Sequence, residues 1–267
     1  TGRTARSGGR RLTMLLADLP AFVPNWALPA GVKALQTECG IAPQSAQRFG
    51  SFNLGDHVGD DPARVEAHRQ RLATAIGATP LWLNQVHGTT VCRLDAFMAD
   101  SRPQADAVMT QRRGLACAIM TADCLPVLMA DRQGRVVGAA HAGWRGLAAG
   151  VLQALAGAML NPLGMMPGDL RVWLGPAIGP KAFEVGPDVV DAFTCLDQGH
   201  RIHFEPHPES HGKYLADLPG LASDMLRRLG IDDITASDLC TVSLPERFYS
   251  YRRNPVTGRM ASLIWLD

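Results

Sequence analysis

The sequence carries little charge. Of its 267 residues only 19% are Asp, Glu, Lys or Arg, and 26 basic side chains nearly balance 25 acidic ones, for a net charge of +1. Soluble domains usually contain about 25% charged residues. This near-neutral balance argues against a nucleic-acid partner, because nucleic-acid-binding domains usually have a strong basic excess. Intrinsic disorder is also excluded, since 46% of the residues are apolar.

The sequence also lacks long apolar runs and closely spaced pairs of cysteines. No stretch approaches the ~20 apolar residues of a membrane span, so we expect no membrane association. The apolar run after Arg10 and Arg11 stops at Asp18, short of the ~7–15 residues in the apolar core of a signal peptide. The six cysteines are scattered without a CxxC motif, which is typical of reduced thiols and predicts a cytoplasmic protein.

The pattern along the chain predicts one domain. Residues 1–11 are polar and glycine-rich and are expected to form a flexible tail, followed by a single domain over 12–267. A helix is predicted from Asp61 and Pro62 to Gly77. Strands and helices alternate irregularly, which favours a mixed α+β fold. Other predicted helices cover 150–160, 187–195 and 215–229, and predicted strands cover 31–35, 81–86, 91–94, 105–110, 115–120, 125–130, 135–140, 172–174, 240–242, 248–251 and 260–265.

Two of these strands flank the sequence Asp-Arg-Gln-Gly at 131–134, which predicts a β-hairpin. If Asp131 pairs with Gly134, Cys124 lies directly opposite His141, with Cβ atoms ~4.5–5.5 Å apart. A thiolate and an imidazole at that spacing can share one metal ion or one proton. A bulge or an odd-length loop would break this register.

His87 is a third candidate, because it too follows a predicted strand and precedes a glycine. Two histidines and one cysteine would leave the fourth position of a zinc ion open, which is the pattern of a catalytic site. The same residues could instead form a cysteine nucleophile with a histidine base. Each residue alone is also compatible with simple packing in the core. Spacing does not choose among these interpretations.

Five segments together resemble one known family. They are NQVHG at 84–88, TADCLPVL at 121–128, HAGWRG at 141–146, WLGPAIGPKAFEVG at 173–186 and FYSYRRNPVTGRMASLIWL at 248–266. On these motifs the chain resembles the YfiH-like family, also called the laccase-domain, multicopper-polyphenol-oxidase-like or peptidoglycan editing factor family. The resemblance runs from about Leu19 to Asp267, and HAGWRG with an upstream TADC is highly specific.

The resemblance implies a four-layer α/β/β/α fold with two mixed β-sheets and a catalytic zinc site formed by His87, Cys124 and His141. It also implies phosphorolysis of adenosine, inosine, guanosine and methylthioadenosine, and deamination of adenosine. One alternative is a cytoplasmic hydrolase that edits a peptidoglycan precursor by removing L-Ser from UDP-MurNAc-L-Ser. A copper oxidase acting on phenols is a weaker alternative, because such enzymes use several His-x-His pairs and this sequence has none. A structural zinc site would need a fourth protein ligand.

Phosphorolysis requires cationic or amide donors around phosphate. The candidates for substrate binding are Arg145, Arg252 or Arg253, the backbone amides of 175–179, and Asn53, which could contact either the ribose or a backbone turn. Each arginine could equally be a surface or sheet-capping residue.

Many relatives carry Thr-Thr-Arg where this chain has Thr-Glu-Cys at 37–39, so that arginine is absent and Arg48 is its candidate replacement. Asp106 is a candidate for orienting a ligand histidine. Asp123 is expected to support its loop rather than to bind metal. The sequence has no strong interface signal, so a monomer is expected.

Overall fold

The computed structural model describes residues 19–40, 48–94 and 102–267, so the predicted tail at 1–11 lies outside the described residues. The helices of the described ranges are α1 (Pro62–Ile76), α2 (Trp144–Ala149), α3 (Val151–Leu160), α4 (Pro187–Thr194) and α5 (Leu218–Arg228). The strands are β1 (Ala21–Phe22), β2 (Val32–Thr37), β3 (Thr79–Leu81), β4 (Val91–Arg93), β5 (Ala107–Thr110), β6 (Leu115–Thr121), β7 (Leu125–Asp131), β8 (Val137–Ala142), β9 (Leu170–Leu174), β10 (Glu184–Val185), β11 (Phe204–Pro206), β12 (Tyr214–Ala216), β13 (Asp233–Ala236) and β14 (Met260–Leu266). Among these helices none is long and apolar enough to cross a membrane.

Two large mixed sheets stack face to face. One has the order β1-β2-β14-β6-β3 and the other β13-β9-β7-β8-β5-β4, and each combines parallel with antiparallel pairs. Their facing sides share one apolar cluster, in which Ile119 and Ile264 of the first sheet join Leu128 and Trp173 of the second. The predicted pair of mixed sheets is therefore confirmed.

Helices cover the two outer faces. Leu72 of α1 packs with Leu35 and Leu263 on the outside of the five-stranded sheet. Helices α2, α3 and α5 cover the six-stranded sheet, where Leu155 lies in one cluster with Val127. This gives the four layers α/β/β/α that the resemblance implied.

Helix α1 forms where its end signals predict. The Asp61 side chain accepts a hydrogen bond from the backbone N–H of Ala63, and Pro62 occupies the first turn. Gly77 ends the helix with φ +67°, a left-handed conformation that glycine adopts without strain. The helix predicted over 150–160 corresponds to α3. A separate short helix, α2, precedes it, and Gly150 at φ +97° divides the two.

Several predicted strands are wrong. Residues 240–242 and 248–251 form turns and loops, and the strand predicted over 81–86 ends at Leu81. The polar segment 198–213, for which no strand was predicted, contains β11 of a third, three-stranded sheet with the order β10-β12-β11. Its strands have only two or three residues each, too few for a period-two pattern to be recognised.

Two connections cross from the five-stranded to the six-stranded sheet. One joins β3 to β4 and contains His87, and the other joins β6 to β7 and contains Cys124. His141 lies near the end of β8, the neighbour of β7. All three side chains therefore reach the same edge of the stacked sheets.

Candidate metal centre and its cavity

His87, Cys124 and His141 converge. One ligand-type atom from each lies within 4.8 Å of the other two, and the Cys124 Sγ is 3.7 Å from the His87 Nε2. Within the described ranges no other cluster of His, Cys, Asp and Glu side chains has such a geometry. The His141 side chain is buried, whereas His87 is exposed. The arrangement can hold a metal ion through two nitrogens and one sulfur.

The predicted register of the hairpin is wrong by two positions. His141 pairs with Pro126, so Cys124 lies beyond the start of β7 rather than opposite His141. The turn spans four residues, because the Asp131 carboxylate accepts backbone N–H groups from Arg135 and Val136 and closes a wider loop. Cys124 still reaches His141 because the chain turns inward at Asp123, which has φ +93°.

Gly143 provides the room for this approach. Its φ of −62° is accessible to any residue, so conformational freedom does not explain the glycine. A Cβ atom here would lie 2.7 Å from the His87 Cδ2 and 3.1 Å from the Cys124 Sγ. A side chain at position 143 would push the two ligand candidates apart.

One buried carboxylate orients both histidines. Asp106 accepts a hydrogen bond from the His141 Nδ1 at 2.8 Å, and backbone N–H bonds from Val86, His87 and Gly88 at 2.7–3.1 Å. The three successive N–H bonds hold His87 at φ +61°, a region that non-glycine residues rarely adopt. Because Nδ1 of His141 is bonded to Asp106, Nε2 is the nitrogen that remains for a metal ion. Asp106 therefore contacts one of the two candidate ligand histidines, as predicted.

The site favours a thiolate. Burial alone would raise the pKa of Cys124, but the charges and hydrogen bonds of His141 and His87 lower this pKa to about 6. Burial likewise opposes protonation of His141, yet Cys124 and Asp106 raise its pKa to about 9. Without a metal ion, the two residues thus form a thiolate–imidazolium pair near neutral pH. A thiolate is the form of cysteine that binds metals.

Asp123 does not point at the triad formed by His87, Cys124 and His141. Its carboxylate accepts hydrogen bonds from the Thr241 hydroxyl at 2.6 Å, the Ser250 hydroxyl at 3.0 Å and the Arg252 backbone N–H at 2.7 Å. These contacts tie the loop before Cys124 to the segment before β14. Asp123 therefore supports its loop, as predicted.

The triad lies in the wall of a cavity of about 430 Å³. Its apolar wall consists of Met120, Ala122, Trp144, Ile178, Phe183 and Leu218. Its polar wall includes His57, Gln85, Thr121, Arg252 and Arg259. Such a combination of apolar surface with a few polar groups is typical of small-molecule sites.

The structure brings one of the three predicted substrate-binding side chains to this cavity. Arg252 lines it, with its guanidinium donating to the carbonyls of Ala182 and Glu184. Arg145 is exposed and stacks on Trp144, with its guanidinium carbon 4.3 Å from the ring centroid. Arg145 is close to His141 in the sequence but does not line the cavity, because its position on α2 directs its side chain outward.

Asn53 is fully buried and does not line the cavity. Its side-chain amide donates to the Gly55 carbonyl and the Asp60 carboxylate, and its oxygen accepts the backbone N–H groups of Gly55 and Arg259. Asn53 thus fixes the loop that follows it, which is the alternative to ribose binding that the sequence left open.

The other phosphate candidates have different positions. Arg48 and Arg253 line a separate cavity, and Arg253 donates to three backbone carbonyls. In the loop 175–179 the amides of Gly175, Ala177 and Ile178 donate to backbone carbonyls, and that of Gly179 donates to the Cys240 sulfur. The expectation that this loop offers free amides to phosphate is therefore wrong.

Two cavity residues, His57 and Arg259, were not predicted from the sequence. Arg259 directly precedes β14, and its neighbour Met260 pairs with Thr121 at the end of β6, three residues before Cys124. Arg259 could have been placed in the cavity only if the pairing of β6 with β14 had been known. The sequence pattern of either strand alone does not predict that pairing. His57 lies in a turn-rich segment without periodicity.

Thr121 gives a prediction about stability. Its side chain is 2% exposed, and among the described residues its hydroxyl has no hydrogen-bond partner. An unpaired buried hydroxyl costs about 1 kcal/mol or more. We expect Thr121→Val, which keeps the shape, to raise the free energy of unfolding by about 1 kcal/mol. Urea denaturation at neutral pH measures this change.

Thr110→Val is the matched control, because the buried Thr110 hydroxyl accepts the backbone N–H of Arg112. This variant should be destabilised by about 1 kcal/mol. A loss of stability in Thr121→Val as large as that in Thr110→Val would contradict the assignment of an unpaired hydroxyl.

The protein is thus a four-layer α/β/β/α domain with a His-Cys-His cluster at one edge of its two large sheets. The family model for the multi-copper polyphenol oxidoreductase laccase matches residues 37–267. The chain belongs to this family, which includes the YfiH proteins.

The similar proteins span nearly the whole chain. A purine nucleoside phosphorylase of Pseudomonas aeruginosa is 49% identical over 92% of this chain and 98% of its own length, and the purine nucleoside phosphorylase YfiH of Escherichia coli K12 is 46% identical over the same shares. A crystal structure of a Neisseria meningitidis protein has a TM-score of 0.86 at 44% identity, covering 93% of this chain and 99% of the other.

Proposed function

We propose that this protein is a zinc-dependent purine nucleoside phosphorylase that acts on adenosine, inosine, guanosine and methylthioadenosine and also deaminates adenosine. The observation that carries the proposal is a three-ligand site with two nitrogens and one sulfur in the wall of a largely apolar cavity. The names of the relatives in P. aeruginosa and E. coli support the phosphorylase activity.

The donor set fits zinc. With Zn–S near 2.3 Å and Zn–N near 2.0–2.1 Å, adjacent sulfur and nitrogen atoms of a tetrahedral site lie about 3.6 Å apart. The Cys124 Sγ and His87 Nε2 are separated by 3.7 Å. Three protein ligands with a fourth position open to substrate or water are typical of catalytic rather than structural zinc.

Each residue has a definite task in this proposal. A zinc ion bound here would supply a Lewis acid at its open position. Asp106 holds His141 with its Nε2 free, and the two imidazoles keep Cys124 ionised. Trp144 and Phe183 would pack against the purine and exclude water from the reacting bond.

In phosphorolysis, an oxygen of dihydrogen phosphate forms a bond to C1′ of the ribose while the glycosidic C–N bond breaks. The purine leaves with the electron pair of that bond and takes up the proton that phosphate gives up. The products are ribose 1-phosphate and the free base. This reaction requires a phosphate position next to the nucleoside.

A chromatographic assay of the purified protein with adenosine and inosine, each with and without phosphate, tests the proposal. We expect phosphate-dependent release of adenine and hypoxanthine, and inosine from adenosine in the absence of phosphate. Cys124→Ala should lose both activities, whereas Cys195→Ala, which removes an exposed thiol elsewhere, should keep them.

Other results would redirect the assignment. Inosine from adenosine without any free base would leave a deaminase only and contradict the phosphorylase. No change in either nucleoside would contradict the whole proposal and favour the alternative substrate, the UDP-MurNAc-L-Ser peptidoglycan precursor.

No disulfide joins any of the six cysteines, all of which lie in the described ranges, and we propose on this basis that the enzyme works in the cytoplasm.

A further inference from the structure

Arg259 is a half-buried cation in the cavity wall without a carboxylate partner. Among the described residues no acidic side chain lies within ion-pair distance of its guanidinium. Arg69, a buried arginine nearby, pairs instead with Asp56 at 3.2 Å. Buried charges are normally paired, because an unpaired charge loses its hydration without compensation. The position of Arg259 therefore requires an explanation.

The side chain of Arg259 is held in place. Its Nη1 donates to the carbonyls of Thr257 and Gly258, both at 3.0 Å, and its backbone N–H donates to the Asn53 side-chain oxygen at 2.8 Å. Gly55 packs directly on the aliphatic stem, where a Cβ atom would lie only 2.7 Å from the Arg259 Cγ. Asn53 and Gly55 thus build a seat for this arginine, which leaves its remaining N–H groups for a ligand.

The surroundings of Arg259 favour an anion. Burial lowers the pKa of Arg259, and interactions with Cys124 and Asp123 oppose this shift. Neither group is available to pair with Arg259, because Asp123 already accepts three hydrogen bonds and the Cys124 Sγ lies 3.7 Å from the His87 Nε2. His57 lines the same cavity, and burial together with the charges of Arg259 and Arg69 lowers its pKa, so at neutral pH its ring can offer a hydrogen bond but not a charge. Arg259 is therefore a cation without an anionic partner of its own at this end of the cavity.

We propose that Arg259, flanked by His57, binds the inorganic phosphate of the reaction. This inference rests on the proposed phosphorylase function. An arginine presents its donors as a planar fork that fits two oxygens of a phosphate. The arginine lies on the same cavity as the triad, so phosphate bound to it would share that space with the nucleoside. Arg259 then takes the role for which the sequence had offered Arg145, Arg252 or Arg253.

Isothermal titration calorimetry of the zinc-loaded protein with inorganic phosphate tests the binding step without turnover. We expect Arg259→Gln to weaken phosphate binding by about 10-fold to 100-fold, the loss expected for charge-assisted hydrogen bonds. Arg259→Lys keeps the charge without the fork and should lie between the wild-type protein and Arg259→Gln. Arg227→Gln, which changes an exposed arginine of α5, is the matched control and should bind phosphate as the wild-type protein does.

Kinetics supplies the second readout. Arg259→Gln should raise the KM for phosphate by a similar factor, with the KM for inosine changed by less than about twofold. Unchanged phosphate binding in Arg259→Gln, or no phosphate binding by the wild-type protein, would overturn the inference. A raised KM for inosine with normal phosphate binding would do so too, because Arg259 would then contact the nucleoside.

Failure of the proposed function is distinguishable from failure of this inference. If the wild-type protein releases no base from any nucleoside but binds phosphate through Arg259, the anion site stands and the phosphorylase does not. If Arg259→Gln and Arg259→Lys both lose their near-ultraviolet circular dichroism, Gly55→Ala provides the remaining test. It displaces the Arg259 stem while keeping its charge, and should also weaken phosphate binding.

Discussion

Cys124→Ala is expected to lose bound metal and all turnover. The substitution removes the only sulfur of the triad and the thiolate that the two histidines share. Two histidines alone bind zinc much more weakly than a three-ligand set, so the purified variant should contain less than about one tenth of the zinc of the wild-type protein. Elemental analysis after dialysis measures the metal, and the nucleoside assay measures turnover.

The fold should survive this substitution, because Cys124 lies at a loop and contributes little apolar packing. Cys195→Ala is the matched control and should retain both zinc and activity. Full zinc occupancy in Cys124→Ala would contradict the assigned ligand set. Full turnover in a zinc-free Cys124→Ala protein would instead show that the metal is not needed for the reaction.

Asp106→Ala has the second largest expected effect, on both stability and metal affinity. Asp106 is fully buried, and its removal leaves the His141 Nδ1 and three backbone N–H groups without their acceptor. We expect the free energy of unfolding to fall by about 3–5 kcal/mol. Loss of a carboxylate that orients a ligand histidine should weaken metal binding by about 10-fold to 100-fold.

The pH dependence of this effect has a definite sign. Burial opposes ionisation of Asp106, but hydrogen bonds from His141 and from the Gly88 N–H outweigh it and lower the pKa in the folded protein. A carboxyl with a lowered pKa stabilises the fold at pH values above its unfolded pKa, about 3.9, and this contribution is lost as the pH falls through the folded value. The difference between wild-type protein and Asp106→Ala should therefore be largest near neutral pH and shrink below about pH 4.

Urea denaturation of the metal-free proteins at several pH values measures this difference. Asp188→Ala, at an exposed position in the first turn of α4, is the control and should change stability by less than about 1 kcal/mol. A difference between wild-type protein and Asp106→Ala that stays constant down to acidic pH would show that the carboxylate charge is not what stabilises the site.

The sequence predicted the elements whose signals are local. Helix α1 has a cap, a proline and a terminal glycine within one continuous segment, and its bounds are those predicted. The strands β5 to β8 are apolar runs long enough to be recognised. The register of the β7–β8 hairpin was wrong because the Asp131 side chain, and not the residue count, sets the loop length.

The metal-ligand candidates were predicted correctly as neighbours, but for an incorrect reason. Cys124 reaches His141 through the turn at Asp123, not through strand pairing. Among the arginines, only Arg252 was expected at the cavity and lies there. Arg259 escaped prediction because its proximity depends on the pairing of β14 with β6, two strands separated by more than 130 residues of chain. Such long-range pairing leaves no local pattern in the sequence.

The triad lies where the two large sheets meet, with His87 and Cys124 on two of the connections between the sheets and His141 on β8. The distance between the two sheets therefore helps to set the distances among His87, Cys124 and His141. The sheet spacing is set by the volume of the side chains between the two sheets, including Ile119, Leu128 and Trp173. A core substitution that changes the distance between the sheets is therefore expected to change the spacing of His87, Cys124 and His141 as well, although the substituted residue contacts none of them.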